Sequence, residues 1–94
     1  MLFAIHCHDK PGHQDVRAAN RAAHLAYLEQ VADRLVFAGP TFTDDGAAMT
    51  GSLLIIELDD DDAVRDFCER DPYARAGLFD RVDVAPVKQV FPRG

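Results

Sequence analysis

Positive charge is scarce in this sequence. Two Lys and eight Arg stand against thirteen Asp and three Glu, a formal balance of −6 over 94 residues. Such a chain repels phosphate backbones, and no basic stripe offsets the repulsion, so a nucleic-acid partner is excluded. Long apolar runs are missing too: a membrane span needs about 20 such residues, and nothing here approaches that. The start, Met1-Leu2-Phe3-Ala4-Ile5, lacks the basic region and small-residue cleavage site of a secretory leader, so the chain is expected to be cytoplasmic. Cysteine is limited to Cys7 and Cys68. A disulfide between them is geometrically conceivable, but an intracellular chain would keep both as reduced, buried thiols. Ser52 is the single serine and has no nucleophile-elbow glycines around it, which removes support for acyl-enzyme chemistry. No glycine-rich phosphate loop or dinucleotide fingerprint occurs.

What remains is enough for one small domain spanning residues 1–94. Apolar residues make up 48% of the chain and charged residues 28%, a balance suited to a soluble globule with a real core. Leu2 to about His8 predicts a first strand, closed by the turn Asp9-Lys10-Pro11-Gly12. From about Asp15 to Asp33 the alanine-rich composition predicts a helix. Leu35 to Ala38 predicts a short strand stopped by Gly39-Pro40, with loop from Thr41 to Ala48. Gly51-Ser52 opens a third strand, Leu53 to Leu58, which is apolar on both alternating faces. The run Asp59 to Asp62 supplies a cap and early negative charge for a helix over about Asp60–Arg70, and Asp71-Pro72 ends it. A single helical turn over Tyr73–Gly77 and a last strand over Val82–Phe91 complete the order.

That order, β-α-β-β-α-β, is the ferredoxin-like split βαβ arrangement, an α+β fold with a four-stranded antiparallel sheet. Two helices cover only one face of such a sheet. The doubly apolar third strand asks for cover on the other, and a second copy packed sheet to sheet supplies it. A homodimer is therefore expected.

The first helix carries polar residues where apolar ones belong. At about 100° per residue with Leu25 at zero, the apolar arc runs from roughly +60° at Ala22 to about −120° at Val31. Arg17, His24 and Arg21 fall inside it, while Ala23, Tyr27, Gln30 and Arg34 take the outward face. Burying two guanidinium groups and an imidazole is costly unless they are paired or line a wet cavity. One reading has the arginines snorkelling at the core edge while His24 bonds a backbone carbonyl. The other is a polar pocket between helix and sheet, where arginines hold a small anionic ligand and a histidine moves a proton. An imidazole so used needs an orienting carboxylate. Asp71 is the best placed candidate, although an Asp before Pro also serves as the N-cap of the following turn.

Arg17-x3-Arg21-x2-His24-Leu25 after the Asp9-x-Pro11 turn resembles the YciI-like, or YCII-related, family. Gly39-Pro40, Gly51-Ser52 before an apolar strand, Asp71-Pro72-Tyr73 and Ala76-Gly77 fit the same pattern in the same order. The resemblance implies a dimeric α+β barrel and a His-Asp site at His24 and Asp71; Arg17 and Arg21 are expected to bind the substrate's anionic end or a developing enolate, with Ser52 and Tyr73 as further substrate-binding positions and no cofactor. Family members are similar in fold to small lyases and isomerases such as muconolactone isomerase, and one acts as a dehydrochlorinase on a chlorinated hydroxyquinone. The expected activity is cofactor-independent acid–base chemistry of lyase or isomerase type on a small anionic or hydroxy/keto substrate. The alternative is a non-catalytic ligand-binding or interaction module.

His6-x-His8 is the competing constellation. On a strand both side chains share a face and could meet one zinc ion, but no third ligand follows at zinc-site spacing. These histidines are expected to face the partner sheet, with no metal; His13, in a turn, is expected to be solvated.

Overall fold

The strand Leu2–Asp9 (β1) alternates apolar residues on one side with mixed residues on the other, and in the computed structural model, which describes residues 1–93, it lies at the centre of the sheet. Its neighbours are Met49–Glu57 (β3) and Phe79–Val87 (β4), and Leu35–Phe42 (β2) lies outside β3, giving the order β2-β3-β1-β4 with every pairing antiparallel. The helices Gln14–Glu29 (α1) and Asp61–Arg70 (α2), and the short Pro72–Arg75 (α3), complete the ferredoxin-like α+β fold. No helix among the described residues is long and apolar enough to cross a membrane.

Phe3, Ile5 and Cys7 of β1 with Leu54 and Ile56 of β3 form the buried layer, joined by Leu58 and by Val64 and Phe67 from α2. Pairing partners share a face in an antiparallel ladder. The register Phe3↔Ile56, Ile5↔Leu54, Cys7↔Ser52 therefore brings Ser52 onto the helix-covered side. The opposite face presents Ala4, Ile55, Leu53 and Ala85. Phe37 lies beside Ile55 there and is 50% exposed. Gly51 is required by the same ladder: a Cβ there would collide with the Cys7 carbonyl.

Several boundaries differ from the sequence reading, each for a local reason. α1 ends at Glu29 rather than near Asp33, because Gln30 and Val31 donate to Tyr27 and Leu28 in tightened turns and Ala32–Arg34 forms a 3₁₀ turn. Gly39-Pro40 does not stop β2, which continues to Phe42; β2 is an edge strand, so the N–H that proline lacks is not missed. β3 starts at Met49, two residues before Gly51. β4 starts at Phe79, where Lys10 donates to the Leu78 carbonyl, and ends at Val87 instead of Phe91. Pro86 is tolerated there because β4 is the other edge.

Candidate active site

The buried stripe of α1 is centred on its polar residues. Arg17 and His24 are the two buried residues of the helix, while Leu25, inside the expected arc, is 42% exposed. Tyr27, expected to face outward, is half-buried, and its hydroxyl donates to the Phe67 carbonyl at 2.7 Å. The arc is thus rotated toward Tyr27 by less than one residue step of about 100°. Arg21, at the rim, is exposed.

His24 Nδ1 lies 2.8 Å from Asp71 Oδ1, with both side chains buried. A carboxylate only accepts, so Nδ1 carries a proton, and in the neutral imidazole Nε2 presents its lone pair. Asp71 Oδ1 also accepts the backbone N–H of Tyr73 at 2.9 Å, capping α3. The two roles weighed for Asp71 from the sequence are therefore performed together by one oxygen. Pro72 occupies the first position of α3, and Gly77, at φ +75, lets the chain leave it toward β4.

Tyr73 is the platform of the site. The His24 imidazole stacks on its ring at 4.0 Å and 14°, and the Arg17 guanidinium carbon lies 4.7 Å from the ring centroid. Phe79 meets it edge-on at 6.1 Å. Burial raises the Tyr73 hydroxyl pKa against the lowering influence of Arg17 and Arg21.

Arg17 is held by partners within the protein. Its Nε and Nη2 donate to the two carboxylate oxygens of Asp9 at 2.7 and 3.0 Å, and Nη2 also donates to Ser52 Oγ at 2.9 Å. Burial disfavours the charged guanidinium, but Asp9 more than restores it, so the pKa is raised. Arg21, by contrast, has no carboxylate within ion-pair distance among the described residues. Asp9 was not picked out as a site residue from the sequence, where it reads as a turn former. Its signal was the buried Arg17 eight residues on, which needed a carboxylate.

These residues surround a cavity of about 250 Å³ between α1 and the β2–β3 half of the sheet. Arg17, Arg21, His24, Ser52 and Tyr73 form its polar end; Leu25, Leu28, Ala38, Met49 and Leu54 wall the rest. Every fully buried side-chain nitrogen or oxygen among the described residues has a partner, and His24 Nε2 makes no hydrogen bond, so this atom is open to the cavity. The alternative of a histidine sealed against a carbonyl is not realised.

The other constellations lie elsewhere. The His6 and His8 rings lie 4.0 Å apart, tilted at 40°, on the uncovered sheet face, where His8 Nε2 is 3.0 Å from Asp83. No group of three His, Cys, Asp or Glu among the described residues is placed to hold a metal ion. His13 is half-buried rather than solvated, with Nδ1 donating to the Pro11 carbonyl at 2.9 Å. Both cysteines are free. Burial pushes the Cys7 thiol up to about 12 and that of Cys68 to about 11, which keeps both as inert thiols.

The fold and the cavity together define a class: a small ferredoxin-like domain with a histidine–carboxylate pair opening onto an enclosed site beside its sheet. The chain belongs to the YCII-related domain family, whose model matches residues 1–88. It is 40% identical to Protein YciI of Escherichia coli over 98 residues, covering 97% of this chain and 100% of that protein. A protein of Haemophilus influenzae is 37% identical over the same coverage. Among solved structures, 5-chloro-2-hydroxyhydroquinone dehydrochlorinase from Burkholderia phenoliruptrix, in complex with 2,5-dihydroxybenzoquinone, is 44% identical and superposes with a TM-score of 0.87 over 94% of each chain. A Pseudomonas aeruginosa protein at 14% identity, with a TM-score of 0.56 over 95% of this chain and 92% of its own, shares the fold.

Proposed function

We propose that this protein is a cofactor-independent acid–base enzyme of lyase type, acting on small hydroxylated, keto-forming ring substrates. The observation that carries the reading is the 2.8 Å His24–Asp71 pair whose free Nε2 opens onto the cavity. It is supported by the likeness to a dehydrochlorinase of a hydroxyquinone. Nε2 takes the proton of a ring hydroxyl and returns it to the chlorine-bearing carbon, which converts the enol to a ketone. A second hydroxyl then releases its proton as the C–Cl pair departs as chloride. The sum is loss of HCl, with the ring raised to the quinone level by its own leaving group and no external oxidant. Asp71 orients the imidazole and steadies its charged form. Arg21, exposed at the rim and free of a carboxylate, attracts the anionic form of the substrate. The chain is expected to release chloride from 5-chloro-2-hydroxyhydroquinone without added metal or cofactor; turnover no faster than the buffer blank in a chloride assay removes the lyase reading. A binding module would bind such rings with no turnover.

The same reading pairs two chains through the uncovered sheet face. Phe37, Leu53, Ile55, Ala4 and Ala85 form an apolar part of that face beside the polar group His6, His8, Arg81 and Asp83, and a small monomer gains by burying the apolar part. Sedimentation at micromolar concentration is expected to give twice the 10.4 kDa chain mass, and a 10.4 kDa species there defeats the pairing.

A further inference from the structure

The cavity beside His24 is polar where it is closed and apolar where it opens. His24, Ser52 and Tyr73 at its inner end are buried, whereas Leu25, Ala38, Pro40 and Met49 around its mouth are exposed. These four come from α1, β2 and β3, so they are not isolated surface residues: the fold brings them to one opening. Half-buried Leu28 and buried Leu54 continue the same wall inward. Arg21 is the charged member of the rim. A collar of apolar side chains in contact with water costs free energy that a ligand lying across it recovers. Volume points the same way. A cavity of about 150 Å³ takes one benzene ring. This one, at about 250 Å³, is larger than a single ring requires.

We infer that the ring bound here carries an apolar substituent, a fused second ring or a short alkyl chain, on the edge that points away from His24. That placement rests on the acid–base reading above, which sets the ring oxygens at the closed end. It adds a substrate class: quinone-type rings oxygenated toward one edge and hydrocarbon at the other. With such a ring in place, His24 Nε2 and Arg21 meet oxygen, while Leu25, Ala38 and Met49 meet carbon. Each methylene so buried multiplies affinity about fourfold. A ring oxygenated on both edges sets an oxygen against side chains that offer it no donor, which costs affinity. Leu25, Ala38 and Met49 are therefore specificity residues, touching the substituent and not the reacting atoms.

The test is a calorimetric titration of the full chain with two quinones that lack a leaving group, 2-hydroxy-1,4-naphthoquinone and 2,5-dihydroxybenzoquinone. The first carries its oxygens on one ring and only hydrogen on the other. The second carries oxygens on both edges of a single ring. The naphthoquinone is expected to bind at least about tenfold more tightly, a gain smaller than full burial of four ring carbons gives because the mouth is open. Leu25→Gln with Met49→Gln should bring the two affinities to within about threefold of each other. The probes' own acidity is the same for both proteins, so the change in ratio reads the collar alone. Equal affinities in the wild type, binding of neither quinone, or a ratio that the double variant leaves unchanged overturns the proposal. A fall in sedimenting mass with the ratio intact also overturns it and assigns the collar to a second copy of the chain. Chloride release from 5-chloro-2-hydroxyhydroquinone without the naphthoquinone preference leaves the acid–base reading standing and removes this one. The preference without chloride release supports the ligand class and removes the catalysis. Should the double variant fail to fold by circular dichroism, Leu25→Gln, at an exposed helix position, reports the same fall in ratio in smaller measure, and no fall overturns the proposal.

Discussion

Replacing His24 by Ala is expected to lower kcat for HCl loss by about 10²–10⁴-fold, the range for removal of a positioned general base. Asp71→Asn should approach the same loss by another route. An amide at 71 can still cap α3 by accepting the Tyr73 N–H, since Asn and Asp are comparable N-caps. Toward His24, however, an amide oxygen left in place carries no charge to steady the imidazolium, and an amide turned to put its NH₂ there moves the imidazole proton to Nε2 at the expense of the cap. The variant should thus keep the fold, with denaturation midpoints near wild type, while turnover collapses. Steady-state kinetics beside urea denaturation separate these effects. Full activity in His24→Ala, or in a well-folded Asp71→Asn, shows that the pair is structural.

The largest expected loss of stability is at Tyr73. Truncation to Ala removes a ring that is 2% exposed and in contact with His24, Arg17 and Phe79, and should cost about 3–5 kcal/mol. Tyr73→Phe should cost about 1 kcal/mol, because the ring keeps its contacts and only the hydroxyl's interaction with Arg17 is lost. If the Phe variant proves as unstable as the Ala variant, the hydroxyl rather than the ring holds the site. Both melts belong at one protein concentration, since association adds to apparent stability.

Element order was legible because each element announces itself locally. Asp60 sits before a helix it does cap, accepting from Ala63, and Pro72 follows the Asp that ends that helix. The rotation of α1 was harder to read. Leu25 is apolar and falls inside the expected arc, yet the buried stripe centres on His24 and Arg17, whose burial depends on partners from other elements. Hydropathy along one helix contains no information about Asp9 or Asp71. The edge position of β2 is likewise a property of the sheet, so Pro40 inside a strand reads as a break until its neighbours are known. Of the expected site residues, His24, Asp71, Arg17, Arg21, Ser52 and Tyr73 all reach one cavity or its wall, with Asp71 standing behind His24. The distribution of charge between Arg17 and Arg21 is what the linear pattern did not carry.

A single oxygen, Asp71 Oδ1, both begins α3 and holds the imidazole. Readiness for proton transfer is therefore not a property added to a finished fold. Any opening of the 71–77 turn releases His24 to rotate and re-tautomerise before the sheet has lost a bond. On warming, inactivation should precede the loss of strand signal, and the temperature interval between them would measure how loosely this one turn is fastened to the rest of the molecule.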